Sequence, residues 1–545
     1  MKKILLTIIV TIFYTALTIA QTGPGGVGNS TDNAVWLDAS RLSLNNNDPV
    51  TTWTDFSGNG NDFTQGTANR QPTFLTNQIN AQPSINFSQD FLDLSTTSDM
   101  NSANFTQFIV GKAVNANNTR AVLRSSYSSG ASTSSSTYHG FYLSTSGNQY
   151  YTHSRNTSGV AVSAAMGYQA GYNILSSVIN SGTSTVTGYL NNNLTNTTAG
   201  YNSTPNGHLQ TRIGSNTGSA SGGLFFAGTM SEVIIYNRAL NTAEHNIINN
   251  YLAVKYRRTI SNDLYSHELT HYHEVFGVGQ ESDGGNTTAQ GTGIVEFSNP
   301  VLTDGDYILA GHNNGSIMAS TNDVPASIAP ASRLQRLWRV DATGSPGTLT
   351  ISFDISGTVY AGETSLSLVV EDNDGIFNNG NTTVYGPATP VGNIVTFTGV
   401  SLPDNSYFTL FGPSQPIESI ASGNWNSTST WNCGCVPGQN DDATIKASHN
   451  VTLNVNSSIN DLTIEATGTL THGTSKKLSV YGNLTINGGL SHSTGTTDFV
   501  GTGTQAFDNG SGSSLAIYNL NVSGGSTVEL KTGSSWRQKG KKKHR

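Results

Sequence analysis

Gly228-Thr-Met-Ser-Glu-Val-Ile-Ile-Tyr-Asn-Arg-Ala-Leu-Asn-Thr-Ala-Glu-His-Asn-Ile-Ile-Asn-Asn-Tyr-Leu-Ala-Val-Lys-Tyr256 reads as a buried strand, a turn and a short capped helix. Met230, Val233, Ile234, Ile235 and Tyr236 give the strand. Asn241 is a good N-cap, and Glu244 stands three residues later, where a capping box needs its acid. Ile247, Ile248, Tyr251 and Leu252 then share one helical face. That face is expected to close one end of a β-sandwich.

A second signal lies far upstream. Ala34-Val-Trp-Leu-Asp38 is followed by Trp53-Thr-Asp-Phe-Ser-Gly-Asn-Gly-Asn-Asp62, a strand running into an Asn/Gly turn. Together the two stretches resemble the laminin-G-like, concanavalin-A-like jelly roll of exported bacterial proteins of Bacteroidetes type. The resemblance covers about residues 30–256. It implies a two-sheet sandwich, mostly used as a binding scaffold. Strands are expected at 84–87, 105–110, 140–143, 174–179, 185–190 and 211–213, a spacing that suits such a sandwich.

The chain has 545 residues, too many for one core, so three or four domains are expected. Charged residues are 11% of it, against about 25% in an average soluble domain. Glycine (59 residues), Ser, Thr and Asn fill the gap, as short strands joined by many turns require. The recurrent Val/Ile/Leu/Phe/Tyr segments argue against wholesale disorder. The net charge of -8 implies no broad basic surface, so nucleic acid is not an expected partner.

Lys2 and Lys3, an apolar run over 4–12, and Thr18-Ile-Ala20 before Gln21 form a secretory signal peptide over residues 1–20. No later segment could span a bilayer as a helix. A secreted or cell-surface location follows. The two cysteines, Cys433 and Cys435, cannot staple a fold of this size. Their spacing suits neither a CxxC redox pair nor a four-ligand zinc site, which leaves a local disulfide or two free thiols.

Residues 271–413 carry further strand-like segments. They resemble an uncharacterised sandwich module that follows the jelly roll in such proteins. From Ser419, Ser-Gly-Asn-Trp-Asn-Ser-Thr-Ser-Thr-Trp-Asn-Cys-Gly-Cys-Val-Pro437 resembles the entry to a short right-handed β-helix. The pairs Leu462/Ile464, Leu478/Val480, Leu484/Ile486, Leu520/Val522 and Val528/Leu530 fit irregular rungs of about 20 residues over 419–530. An ordinary sandwich is the alternative there. The segment 531–545 turns basic, with Arg537, Lys539, Lys541, Lys542, Lys543 and Arg545; truncation or a frameshift near Trp536 accounts for it better than a basic interaction tail. The expected fold is thus all-β: jelly-roll sandwich, second β-sandwich and partial right-handed β-helix.

His267-Glu-Leu-Thr-His271 has the letters of a zinc-peptidase motif. That motif works on a helix with a third ligand. Here polar Asn262-Asp-Leu-Tyr-Ser266 precedes it and strand-like Val275-Phe-Gly-Val-Gly279 follows. Glu274 and Gly277 stand where a longer zincin motif needs Gly and His, and Glu281 lacks a second helix to present it. A polar, His-rich linker is the expected reading. Glu232 is a lone carboxylate on its strand, whereas a jelly-roll glucanase needs a pair, so a partnered structural role is expected. Asp372 and Asp374, in Glu371-Asp-Asn-Asp-Gly375, are calcium candidates, set against a plain Asp-Gly turn. No organic cofactor is expected. Tyr138, Phe141, Tyr142, Tyr150 and Tyr151 could stack on sugars, but core packing is the expected fate.

The functional expectation is a non-enzymatic secreted or cell-surface protein that binds glycans or mediates adhesion through the jelly roll. The alternatives are a secreted hydrolase, either a glycosidase on the jelly roll or a zinc metallopeptidase at His267–His271, and a structural spacer. Secreted material is expected to begin at or near Gln21; N-terminal sequencing that returns Met1 contradicts the export reading.

Overall fold

The computed structural model describes residues 23–95, 97–114, 120–126, 141–155, 160–202, 208, 210–216, 223–291, 294–321, 323–328, 331–414, 416–439, 441–492, 494–510, 514–523, 525–531 and 534–538. The signal-peptide segment, Tyr138, and the tail beyond Gln538 lie outside them. The protein is 49% strand and 7% helix, with β-sandwich sheets and a solenoid stretch of about 4 turns. The chain divides into two compact units. The first comprises residues 1–313, 338–354 and 394–406; the second comprises 314–337, 355–393 and 407–545.

Two eight-stranded antiparallel sheets open the first unit. One runs Asn193–Ala199, Thr185–Leu190, Asn173–Asn180, Phe105–Ala113, Ala227–Tyr236, Gln82–Ser88 and Thr73–Ile79, with Asn33–Asp38 also paired to Ala227–Tyr236. The other runs Ala161–Gly167, Gln149–Arg155, Phe141–Ser146, Arg120–Ser126, Gln210–Ile213, Leu92–Leu94, Phe63–Thr64 and Thr52–Trp53. Their facing side chains, among them Ile85, Ile109, Leu175 and Val233 against Trp53, Leu92, Leu123 and Ile213, form one core.

The decisive strand Ala227–Tyr236 is buried on both faces. Met230, Val233 and Ile235 point into the sandwich core, while Ile234 and Tyr236 point the other way. The change of parity between Met230 and Val233 comes from a bulge, because the register against Phe105–Ala113 slips between Met230 and Glu232. That slip puts Glu232 on the outer face, level with Trp36 and Asp38 of the neighbouring strand Asn33–Asp38.

The helix Thr242–Tyr256 lies on this outer face. Its capping box is complete: Glu244 N donates to Asn241 Oδ1 at 2.9 Å and Asn241 N donates to Glu244 Oε2 at 3.0 Å. The helix does not merely close an end through one apolar face. All of 243–254 is buried, because the chain coats the helix a second time with Val275, Tyr307 and Leu309. Its polar residues are therefore internal and each finds partners, as burial demands. His245 Nε2 meets Ser176 Oγ at 2.9 Å, Asn246 Nδ2 donates to Tyr307 OH at 3.0 Å, and Asn250 Oδ1 accepts from Leu264 N at 2.7 Å.

The second coat belongs to a smaller sandwich within the same unit. Gly284–Asn286, His273–Glu281, Tyr307–His312 and Trp338–Thr343 pair antiparallel in that order. Thr288–Gly291, Val295–Ser298, Leu349–Asp354 and Ile394–Val400 form its other sheet. Phe276 meets Phe297, and Trp338 meets Phe353, at ring-centroid distances of 4.7 and 5.7 Å. The segment Gly23–Val27 is also part of this packing. Pro24, Gly25 and Gly26 are buried, and a Cβ on Gly26 (φ +78°) would stand 2.8 Å from the Ala289 Cβ.

In the second unit, Tyr407–Pro413 is flanked by Ala331–Leu334 and Leu366–Glu371, and the latter pairs with Thr382–Ala388. From Ile417 the strands become parallel and stack in four sheets, of six, four, four and two strands, around one apolar interior. Like stacks on like: Leu462 on Leu484, Ile464 on Ile486, His472 on His492. Cys433 and Cys435 form a disulfide at the entry.

Burial pushes the His245 imidazole down to about 3. Between pH 6.5 and about 3 the unfolded chain therefore takes up a proton that the native helix refuses, so stability falls as pH falls across that window. His271, held at about 4, acts in the same sense. Urea midpoints should drop on acidification below pH 6.5, by up to about 1.4 kcal/mol per pH unit for each such histidine. His245→Gln should flatten that slope; an identical pH profile in the variant contradicts the assignment.

Candidate binding cleft

A buried charge cluster sits between the outer sheet face and the helix. Tyr251 and Lys255 are one helical turn apart and share a face. Lys255 Nζ donates to Asp38 Oδ2 at 2.6 Å and to Glu232 Oε2 at 2.7 Å. Glu232 also accepts from Trp36 Nε1 at 2.8 Å, Tyr251 OH at 3.0 Å and Tyr256 OH at 2.8 Å. Asp38 accepts from Ser40 N and Oγ and approaches Arg41 Nε at 3.3 Å. Arg41 lies 4.2 Å above the Trp36 ring and 5.0 Å from Phe56, a cation–π arrangement. Asp55, in the Asn/Gly turn, accepts from Trp36 N at 2.8 Å and fixes that strand's position.

The electrostatics follow from this geometry. Burial pushes the Asp38 carboxyl up, but Lys255 outweighs it and holds the group below its ordinary value. Burial disfavours the Lys255 ammonium, yet Asp38 and Glu232 hold its pKa above the usual range. Burial and Glu232 raise both tyrosines, so they stay phenol donors. Glu232 thus has the partnered environment of a structural carboxylate.

The exposed rim of this cluster opens into a cavity of about 270 Å³. Trp36, Asp38, Arg41, Tyr251 and Lys255 form its floor. Gln82, Tyr272–Phe276, Gln290 and the Gly23–Gly26 turn supply its walls. Glu274 is unusual there. Its φ of +55° is left-handed, and it sits in a bulge where the register against Tyr307–His312 slips between His273 and Phe276. Its Oε2 bonds His312 Nε2 at 2.9 Å, and its side chain is 51% exposed.

The remaining candidates lie elsewhere. His267–His271 is a single turn outside any helix, closed by His271 N donating to His267 O at 2.9 Å. Both imidazoles are buried rather than displayed on a polar linker. His267 Nε2 stands 3.5 Å from Asp341 Oδ1, and burial, partly offset by Asp341, lowers its pKa. Asp372 and Asp374 are exposed in the turn after Leu366–Glu371. Asp374 accepts from Ile376 N and Asn379 Nδ2. Buried Glu371 turns inward, accepting from the backbone N–H of Asn373 and Asp374. Among the described residues no three His, Cys, Asp or Glu side chains converge as a metal site. Tyr150 is buried and pushed up to about 12 by burial, and Tyr151 lies beside His153. The side chains of Phe141 and Tyr142 lie outside the described residues. No helix among those residues is long and apolar enough to cross a membrane.

Trp36, Asp38, Glu232, Tyr251 and Lys255 all fall in the two stretches that mark the jelly-roll pattern. Arg41, Gln82, Tyr272, Glu274 and Gln290 carry no local signal. The Pro24-Gly25-Gly26 run was their one available hint, since buried left-handed glycines mark close backbone approach.

Residues 244–406 match the model of a domain of unknown function, DUF8202. The matched stretch opens inside the helix and continues through the smaller sandwich. No curated protein matches the chain. Among solved structures, the chain is similar to a Ruminococcus gnavus IT-sialidase CBM40 bound to alpha2,3 sialyllactose, at 15% identity over 26% of this chain and 79% of that one, with a TM-score of 0.23. It is similar to Trypanosoma rangeli sialidase at 13% identity, over 43% of this chain and 35% of that one, TM-score 0.26. The binding domain of Paraclostridial Mosquitocidal Protein 1 follows at 10% identity, over 70% and 97%, TM-score 0.31. At these scores the likenesses carry neither an activity nor a ligand to this chain.

Removing the shared cation should be severe. Lys255→Met leaves two buried carboxylates facing each other and should cost about 3–5 kcal/mol. Adding Glu232→Gln should recover part of that loss, because one of the opposed charges is gone. Chemical denaturation of the single and double variants checks this; additive losses contradict the shared pairing.

Proposed function

We propose that this chain is an exported, carbohydrate-binding protein of laminin-G-like type, and that its ligand site is the cleft over Trp36, Arg41, Tyr251 and Lys255. The signal-peptide pattern at residues 1–20 supports export. The cleft supports the ligand class. Its floor and walls together combine aromatic rings with amides, a guanidinium and a carboxylate, the mixture that meets both the C–H faces and the hydroxyls of a sugar. At about 270 Å³ it falls at the small end of ligand pockets (roughly 300–1,000 Å³), which favours a terminal sugar residue over an extended chain.

The observation that carries binding over hydrolysis is the state of Asp38. A glycosidase acid needs a raised carboxyl pKa. Asp38 is held low by Lys255, and Glu232, behind it, spends its oxygens on four donors. These carboxylates hold the floor in shape.

A glycan array probed with the full chain is the test. Gln82→Ala and Tyr272→Ala should each weaken the best ligand by about tenfold, the worth of one good contact, with melting temperature unchanged for Gln82→Ala and lowered for Tyr272→Ala, whose ring also packs on the core. Binding that survives both substitutions places the site elsewhere, and a chain that also releases reducing sugar from the bound glycan is a hydrolase.

A further inference from the structure

We propose that the cleft selects uncharged sugars against acidic ones, and that Glu274 is the residue that sets the choice. The proposal rests on the carbohydrate reading of the cleft and deepens it. It follows from a charge inventory. Four charged side chains line the cavity, Asp38, Arg41, Lys255 and Glu274, and a fifth, Glu232, lies behind the floor bonded to Lys255. Lys255 is committed at 2.6 and 2.7 Å to Asp38 and Glu232, and Arg41 leans on Asp38 at 3.3 Å. The two cations therefore offset Asp38 on the floor and Glu232 behind it. Glu274 is the carboxylate left over, half-exposed on the wall. With histidine neutral, the site carries a formal surplus of one negative charge.

That surplus is placed deliberately by the backbone. A glutamate at φ +55° is strained, since the left-handed region is disfavoured for residues with a Cβ. The bulge at His273–Phe276 re-aims the chain at this point, as bulges beside ligand sites do. His312 Nε2 fixes Oε2 at 2.9 Å, and Oε1 has no hydrogen-bond partner among the described residues. A carboxylate so held accepts hydroxyl donors strongly. It repels a second carboxylate or a sulfate brought to contact distance, where water is partly excluded.

The experiment compares matched glycans on the full chain: galactose-, glucose-, mannose- and N-acetylhexosamine-terminated probes against glucuronate-, galacturonate- and sialate-terminated counterparts, at low and high salt. Neutral probes should bind at least about tenfold tighter than acidic ones at low salt, and the gap should shrink as salt screens the field. Glu274→Gln should narrow the gap by raising the affinity for acidic probes. Glu274→Gly removes the carboxylate and relieves the left-handed strain, so it should fold at least as stably as the parent and lose the discrimination too. Acidic probes bound more tightly by the parent, or a gap that persists in both variants, overturns the proposal while leaving carbohydrate binding intact. Binding of no probe at all overturns the carbohydrate reading and this inference with it.

Discussion

One ammonium group shared by two buried carboxylates organises the first unit. Lys255 comes from the helix, Asp38 from the first strand and Glu232 from the central strand, so three segments separated by up to 217 residues meet at one charge. Neither carboxylate could stay ionised in that position alone, since burying an isolated charge is prohibitive. Trp36, Tyr251 and Tyr256 complete Glu232's shell. A buried pair of this kind is weak evidence for stability as such. Its value lies in register. This docking of the helix brings Lys255 to both carboxylates, and the bulge before Val233 is what turns Glu232 to face it.

The fold class was legible because its signals are local. A buried strand, a capping box and an Asn/Gly turn are each contained within a dozen residues, and the parallel rungs repeat Leu-Thr-Ile at 462–464 and 484–486. What escaped was whatever depends on a second partner. Only Ile247, Ile248, Tyr251 and Leu252 mark a buried helical face in the sequence, and Asn246, Asn249 and Asn250 carry no apolar signal. They are buried because Tyr307, Leu264 and the helix's own carbonyls accept or donate to them. Residues 23–27 likewise escaped, since nothing in Pro-Gly-Gly announces that Ala289 will pack on it.

The candidate cleft divides along the same line. Its floor was visible as a motif, although the reason for the motif, a shared cation, was not. Its walls come from segments that approach only once the smaller sandwich is in place. The HExxH letters show the converse. His267 and His271 have the spacing of ligands, yet a single turn beside Asp341 gives them a packing role, because the chain there lacks the helical turns that would aim both rings at one ion.

The double coating of the helix bears on the order in which the chain can assemble. One coat is made from residues that precede the helix and the other from residues that follow it, as far as Leu309. The Gly23–Val27 turn, first in line, rests on Ala289, which arrives more than two hundred residues later. A chain emerging from its N-terminus cannot finish the outer layer of its first sandwich until that later stretch has been released. During the interval Ile247, Ile248 and Leu252 can dock on the sheet, while the opposite side of the helix stays wet. The outer layer of the first sandwich is therefore completed only together with the strands that run to residue 309.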